Sequence, residues 1–270
     1  MKKPPSLIKW TGSKRSQSEE IVKLFPEAKR YIEPFLGGGS ILYHASQHFS
    51  TCLGNDIYNP LIDIWNLVKN DPKELCHSYE QEWNLLQDTF PEHYYKVRSR
   101  FNSEKNAKDL LFLSRTCTNG IIRFNKSGEF NNSLHLTRRG MQPEKFKSIV
   151  FDWSIRLKKT SFTCGDFNLL KNSITKNDFL YLDPPYINSK NRYISNLEPE
   201  KLFIFLENIN ETGAKWALSF DGTRGDNDFR SEIPKELYVN KKLLHSGNSA
   251  VKKVLSSKVE VVYESLYMNY

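Results

Sequence analysis

The chain has 270 residues, of which 39% are hydrophobic and 13% aromatic, and carries a formal net charge of +8. That length and profile suit one α/β domain with a smaller module beside it and exclude a disordered chain. No stretch approaches the roughly 18 to 20 consecutive apolar residues that cross a bilayer, and Met1 to Trp10 lacks the features of a signal peptide, so a cytoplasmic protein without membrane association is expected.

Near the N-terminus, Lys9-Trp10-Thr11-Gly12-Ser13-Lys14 offers a lysine and an indole, suited to a carboxylate and a cation, though alone it is unreadable. Tyr31-Ile32 is expected as a short strand. It runs through Glu33-Pro34-Phe35-Leu36 into Gly37-Gly38-Gly39, and a helix follows from Ser40. Leu53 to Asp56 reads as a second strand ending in an acid. This is βαβ grammar, with glycines at the strand-to-helix turn where a ligand can approach the backbone. Neither a phosphate loop nor a dinucleotide loop is present, which leaves a nucleoside-type ligand without a phosphate tail. Asp56 stands where an acid would accept ribose hydroxyls. Cys52, Cys76, Cys117 and Cys164 stand singly, so neither a zinc site nor a disulfide frame is expected.

From Asn59 to about Lys159 the pattern changes. Leu61, Ile64, Trp65 and Val68 fall at helical spacing, with Pro72 as a stop. Leu75, Tyr79 and Leu86, then Tyr94 to Phe101, then Leu110 to Leu113, point to further helices. Ile121 to Asn132 reads as two β-capable runs around Ser127-Gly128, a hairpin. Between Lys96 and Lys159 there are fifteen Lys and Arg against five Asp and Glu, so this segment holds the whole basic excess. A polyanion leaves such a footprint, because each neutralised phosphate releases counterions. From charge alone, a solvated basic face without a partner reads equally well. Around the turn stand Arg123, Phe124, Asn125 and Lys126, with Arg138 and Arg139 beyond it. Phe124, Asn125, Phe130 and Asn131 are of the types that wedge into, or read, base pairs.

The third block returns to α/β. Asp166-Phe167 pairs an acid with an aromatic, suited to a purine or simply to a loop and a core. Phe179 to Leu182 is a continuous apolar run, as central parallel strands are. Leu202, Phe203, Leu206 and Ile209 form a helical stripe closed by Gly213, and Trp216 to Phe220 and Val259 to Met268 are further strands. The expected architecture is one α/β domain built from residues 1–58 and 160–270, with a mostly helical basic insertion over 59–159.

Directly after the apolar strand comes Asp183-Pro184-Pro185-Tyr186, at the strand end where ligands gather in an open α/β sheet. The exocyclic amine of a purine is a poor nucleophile because its lone pair is delocalised into the ring. A carboxylate and a proline carbonyl can both accept its N–H bonds, holding the nitrogen nearer tetrahedral and placing acceptors beside the developing positive charge. The prolines stiffen the turn, and Tyr186 gives a face on which an extruded base can stack.

Taken together, KWTGSK, EPFLGGGS, the strand ending in Asp56, RFNKSGEFN, GDF and YLDPPY resemble the Dam-type adenine-N6 DNA methyltransferases in the α arrangement, across nearly the whole chain. The resemblance implies a Rossmann-like S-adenosylmethionine-dependent methyltransferase sheet with an inserted DNA-recognition region. The implied reaction is methyl transfer from S-adenosylmethionine to the N6 amine of a flipped-out adenine in double-stranded DNA. It implies cofactor contacts at Trp10, Lys14, Asp56 and Asp183, with Glu33, Phe35, Gly37 and Gly39 shaping the pocket and Asp166 and Phe167 beside them. Asp183, Pro184, Pro185 and Tyr186 would hold the target adenine. Arg123, Phe124, Asn125, Lys126, Arg138 and Arg139 would meet DNA. No metal is implied, because the sulfonium is already activated and its leaving thioether is neutral.

Family members that methylate GATC typically follow the hairpin's Phe-Asn with Val-Pro-Phe-Gly, whereas Asn132-Ser133-Leu134-His135 follows here, so a GATC target is not assumed. LSFDGTRG, HSGNSAV and ESLYMNY are similar to restriction-system enzymes. The resemblance thus leans toward a monomer from a restriction–modification system, with room for a cognate endonuclease that acts independently. An RNA adenine-N6 methyltransferase would commonly carry Asn before the prolines and lack the basic insertion. A protein-glutamine methyltransferase would not call for a basic hairpin. An inactive DNA-binding relative would not need Asp183 to Tyr186 intact.

Overall fold

The computed structural model describes residues 3–185, 197–224, 227–228, 233–248 and 261–270. Among the described residues eight strands form one sheet: β1 (Arg30–Glu33), β2 (Thr51–Asp56), β3 (Thr160–Cys164), β4 (Asp178–Leu182), β5 (Lys215–Arg224), β6 (Asn227–Asp228), β7 (Asn240–Asn248) and β8 (Val261–Met268). Their spatial order is β3-β2-β1-β4-β5-β8-β7, with β6 beside β5. β1 to β5 are parallel, while β8 runs antiparallel between β5 and β7. The chain winds outward from β1 to β3 and then crosses to β4 on the other side of β1. That reversal opens a crevice at the carboxyl ends of β1 and β4.

All five residues of β4 are buried, as its apolar run requires. Alternate side chains serve opposite faces of the sheet. Phe179 and Tyr181 join the larger apolar cluster with Tyr31, Trp65 and Trp153, while Leu180 and Leu182 join Trp216, Phe205 and Leu206 on the other face. On the first face α2 (Leu42–Ala45) and α3 (Asn59–Asn70) meet the strands, and α1 (Ser18–Val22), α4 (Pro72–Asp88), α5 (Glu92–Glu104), α6 (Ala107–Thr116) and α7 (Pro143–Arg156) join the same apolar cluster; α8 (Pro199–Thr212) covers the second face. Helices lie on both faces, as the α/β expectation required.

Local signals explain the element ends. Pro72 follows the end of α3 and also opens α4, where the Asp71 side chain accepts the Glu74 N–H at 3.2 Å. Gly213 closes α8 in a left-handed conformation. Three strands, the two-residue β6 and the longer β3 and β7, are absent from the sequence expectation. β3 and β7 flank the sheet, where one neighbour suffices and no continuous apolar run is needed.

The 121–132 segment also differs from its expectation. It is a bridged turn without a two-strand ladder: Phe124 and Phe130 make an isolated bridge. Asn125 accounts for this, because its Oδ1 accepts the N–H groups of Ser127 at 3.0 Å and Glu129 at 2.9 Å, closing the turn from a side chain. Phe130 is fully buried and edge-on to Phe101, so it anchors the turn and cannot reach a base.

Two indoles tie the insertion to the sheet. Trp65 of α3 and Trp153 of α7 lie 4.8 Å apart between ring centres, and Trp65 Nε1 donates to the Gly37 carbonyl at 3.1 Å. Trp65→Ala is expected to cost roughly 3–5 kcal/mol in urea-induced unfolding and to loosen the Gly37 turn. A loss under about 1 kcal/mol would show that the neighbouring rings close the cavity.

Candidate active site

The carboxyl ends of β1, β2 and β4 deliver Glu33, Asp56 and Asp183 to one cleft, which encloses about 1380 Å³ with its open mouth included. The loop before α1 crosses this end and contributes Trp10 and Lys14; the turn after β1 adds Phe35 and Gly37, and the turn after β3 adds Asp166 and Phe167. Pro184 and Pro185 line the same wall as Asp183. Tyr186 lies outside the described residues.

Gly37 sits at φ +48°, where a Cβ would come within 2.8 Å of the Trp10 ring. The turn therefore depends on glycine, and the bare backbone leaves room for the indole to close over it. Gly39 lies behind the turn, not in the cleft; a Cβ there would meet the Trp65 ring at 3.0 Å. Asp56 braces the turn, accepting the Gly37 N–H at 2.9 Å through Oδ2 and the Tyr58 N–H at 3.1 Å through Oδ1. Each oxygen keeps a lone pair for a ligand hydroxyl.

The electrostatics are dominated by acids. Lys14 Nζ lies 2.8 Å from Asp183 Oδ1 and 3.6 Å from the Glu264 carboxylate. Burial pushes the Asp183 carboxyl up to about 6; the Lys14 charge opposes this shift and Glu264 adds to it. Burial lifts Glu33 well above the usual carboxylate range, with Asp183 and Asp56 adding to the effect and the Tyr31 hydroxyl, donating at 2.8 Å, opposing it. Burial likewise raises Asp56, against the amide donors around it. Two carboxylates share the Lys14 ammonium, and Glu33 and Asp56 line the same cleft, a set that favours a ligand bringing positive charge. The half-exposed Ile57 beside Asp56, with Phe35 and Phe167, offers apolar faces for a planar ring. This donor set fits S-adenosylmethionine, which combines a purine, a ribose diol and a sulfonium.

The expected DNA-facing residues separate into two groups. Arg123, Lys126, Arg138 and Arg139 are exposed. Arg123 Nε donates to Asn131 Oδ1 at 2.8 Å, and the Arg139 guanidinium lies 4.1 Å over the Phe90 ring. Asn125 is exposed but committed to its turn, with Nδ2 donating to Glu129 at 2.8 Å. Phe124 lines the cleft and stands edge-on to Tyr58, linking the basic turn to the cleft.

Sequence reasoning passed over Ile57, Tyr58, Glu198 and Lys201, which line the cleft, and Glu264, which reaches Lys14 from β8. An apolar residue directly after the acid that ends β2 is a signal that could have found Ile57. Nothing local marks Glu264, whose placement depends on the reversed β8.

Comparison with known proteins agrees with this geometry. Residues 10–249 match the family model of D12 class N6 adenine-specific DNA methyltransferases. The chain is 29% identical to the Type II methyltransferase M.MjaIII of Methanocaldococcus jannaschii, over 97% of this chain and 98% of that protein. It is 30% identical to the DNA adenine methylase of Vibrio cholerae, over 69% of this chain and 66% of that one. It is 32% identical to the DNA N-6-adenine-methyltransferase of Escherichia phage P1, over 67% of this chain and 24% of that protein. With the acid-lined crevice at the sheet's switch point and a family match running from residue 10 to residue 249, the chain belongs to the D12 class N6 adenine-specific DNA methyltransferases.

Proposed function

We propose that this chain methylates N6 of an adenine turned out of double-stranded DNA into the cleft, with Asp183 and the Pro184 carbonyl as acceptors for the amine. The observation that carries the assignment is the position of Asp183, which leaves β4 beside the β1/β4 crevice and contributes its carboxylate to the cleft wall. When bound, S-adenosylmethionine supplies a methyl group already activated on a positive sulfonium, so no metal is assigned to the site. Asp56 holds the ribose hydroxyls, and Trp10 closes over the Gly37 turn. Asp183 and Pro184 accept the two N–H bonds of the adenine, turning the nitrogen lone pair toward the methyl carbon. The N–C bond forms as the S–C bond breaks, and the N6 proton leaves toward Asp183 and solvent. Glu33 lines the same cleft at the end of β1, where burial favours its neutral form and lets it meet the ligand through hydrogen bonds.

Residues 59–159 are assigned to target recognition, the others to catalysis. The exposed Arg123, Lys126, Arg138 and Arg139 supply the phosphate contacts. Reversing the charge of Arg123 and Lys126 is expected to weaken DNA binding and to reduce the slope of log K against log salt by about one unit for each phosphate left unneutralised. An unchanged slope would move the DNA surface elsewhere. The protein is further proposed to act as a monomer in the cytoplasm, within a restriction–modification system whose nuclease acts separately.

The test is to incubate purified protein and S-adenosylmethionine with unmodified genomic DNA and sequence single molecules. N6-methyladenine confined to one motif supports the proposal and gives the recognition sequence. Unmodified DNA, with cofactor binding shown by calorimetry, would redirect the substrate to RNA or mark an inactive binder.

A further inference from the structure

We infer that Glu264 is a positioning residue for methyl transfer: it shares the Lys14 ammonium with Asp183 and thereby keeps the Asp183 carboxylate available to the adenine amine. The inference rests on the reading of Asp183 as the amine's acceptor.

Three distant segments bring these charges together. Lys14 comes from the loop before α1, Asp183 from the end of β4, and Glu264 from β8, separated from β4 by one strand. Lys14 Nζ stands 2.8 Å from Asp183 Oδ1, 3.6 Å from Glu264 and 3.5 Å from the Gly12 carbonyl. The three side chains are only 4%, 18% and 16% exposed, so salt and water screen the interactions weakly.

The arrangement poses a problem that Glu264 resolves. An ammonium in contact with one carboxylate oxygen withdraws electron density from the group that must accept an N–H bond from the substrate. With Lys14 held by Asp183 alone, the pair would be neutral. A second carboxylate on the same ammonium leaves the trio with a net negative charge. That charge sits where the amine becomes positive during transfer.

Other groups act on Asp183 as well. Besides Lys14 and Glu264, it interacts with Glu33 at the end of β1 and Tyr181 on β4. Tyr181 also shares a hydrogen bond with Ser219 of β5 at 2.7 Å. Among these groups, Lys14 lowers the Asp183 carboxyl and Glu264 raises it. Glu33 takes its own shift from burial and from Asp183 and Asp56. An acid limb belonging to Asp183 therefore responds to Glu264, whereas one belonging to Glu33 does not respond directly.

The experiment is a pH profile of the single-turnover methylation rate, using full-length protein with saturating DNA and S-adenosylmethionine. For the unaltered protein the rate is expected to rise with pH through about 6. In Glu264→Gln the limb is expected to move down by roughly half a pH unit or more, with a severalfold lower plateau and little change in cofactor affinity. Glu264→Asp, which withdraws the charge by one methylene, is expected to shift the limb in the same direction by less. A Glu264→Gln limb that coincides with the unaltered one overturns the inference, as does an unmoved Glu264→Asp limb should the glutamine variant not fold. Asp183→Asn separates the two claims. Wild-type turnover in that variant removes the acceptor assignment itself, whereas an inactive variant alongside an unmoved Glu264→Gln limb removes only the role of Glu264.

Discussion

Asp183→Ala is expected to lower the single-turnover rate of adenine methylation by roughly a thousandfold or more, while leaving DNA affinity close to that of the unaltered protein. The carboxylate stands at the carboxyl end of β4, paired with Lys14 at 2.8 Å. Methyl transfer places positive charge on N6, and an acceptor fixed beforehand stabilises that charge without reorganising solvent. The arginines and lysines proposed to meet DNA are exposed and untouched by the change, so gel-shift affinity separates loss of chemistry from loss of binding. Near-normal turnover would remove Asp183 from the reaction. The carboxyl's upward shift, to about 6, also fixes the direction of a pH effect. Below that value the acid is protonated and offers a donor where the amine needs an acceptor, so the rate falls as pH falls. The same shift means that the folded protein holds this proton more tightly than the unfolded chain. Whatever stability the protonated carboxyl contributes is full below the ordinary Asp range and is lost as pH rises through about 6.

Asp56→Ala is expected to weaken S-adenosylmethionine binding by roughly a hundredfold, about 3 kcal/mol, the worth of two hydrogen bonds to a charged acceptor. Part of that loss comes from the protein itself. The Gly37 and Tyr58 amides now donate to Asp56, and without it the glycine turn loses its brace. Asp56→Asn, which retains one acceptor oxygen, is expected to fall between the two. Calorimetry at fixed pH measures both. An unchanged dissociation constant for Asp56→Ala would place the ribose elsewhere in the cleft.

Legibility of the fold in the sequence followed burial. β4 was readable because a strand covered on both faces must be apolar throughout, and Phe179 to Leu182 is. α3 and α8 were readable because their buried residues recur at helical spacing. β3 and β7 were not: Phe162 is the single large apolar residue of Thr160–Cys164, too little to mark a face, and β7 opens on Asn240-Lys241-Lys242. The basic turn was located correctly, but its construction was hidden, because Asn125 completes with a side chain what a longer hairpin completes with backbone. Within the cleft, Glu33, Asp56 and Asp183 stood out as acids at the ends of expected strands. Lys14 was found as a motif member, yet its pairing with Asp183, 169 positions away, and with Glu264 is a property of topology that no local pattern carries.

β8 follows β7 in the chain but precedes it in the sheet, lying between β5 and β7. A growing polypeptide reaches β7 before the strand that will join it to β5 exists, so the second half of the sheet closes by insertion. Closing long loops costs entropy before any contact repays it, which makes this step late and slow. Glu264 arrives on that strand, and Lys14 waits for it from the other end of the chain. On a ribosome, then, Lys14, Glu33 and Asp56 are made early, and Glu264 joins Lys14 only when β8 is threaded in. Activity is tied to completion of the sheet, and a nascent chain stalled before β8 would lack the charge trio at the centre of the site.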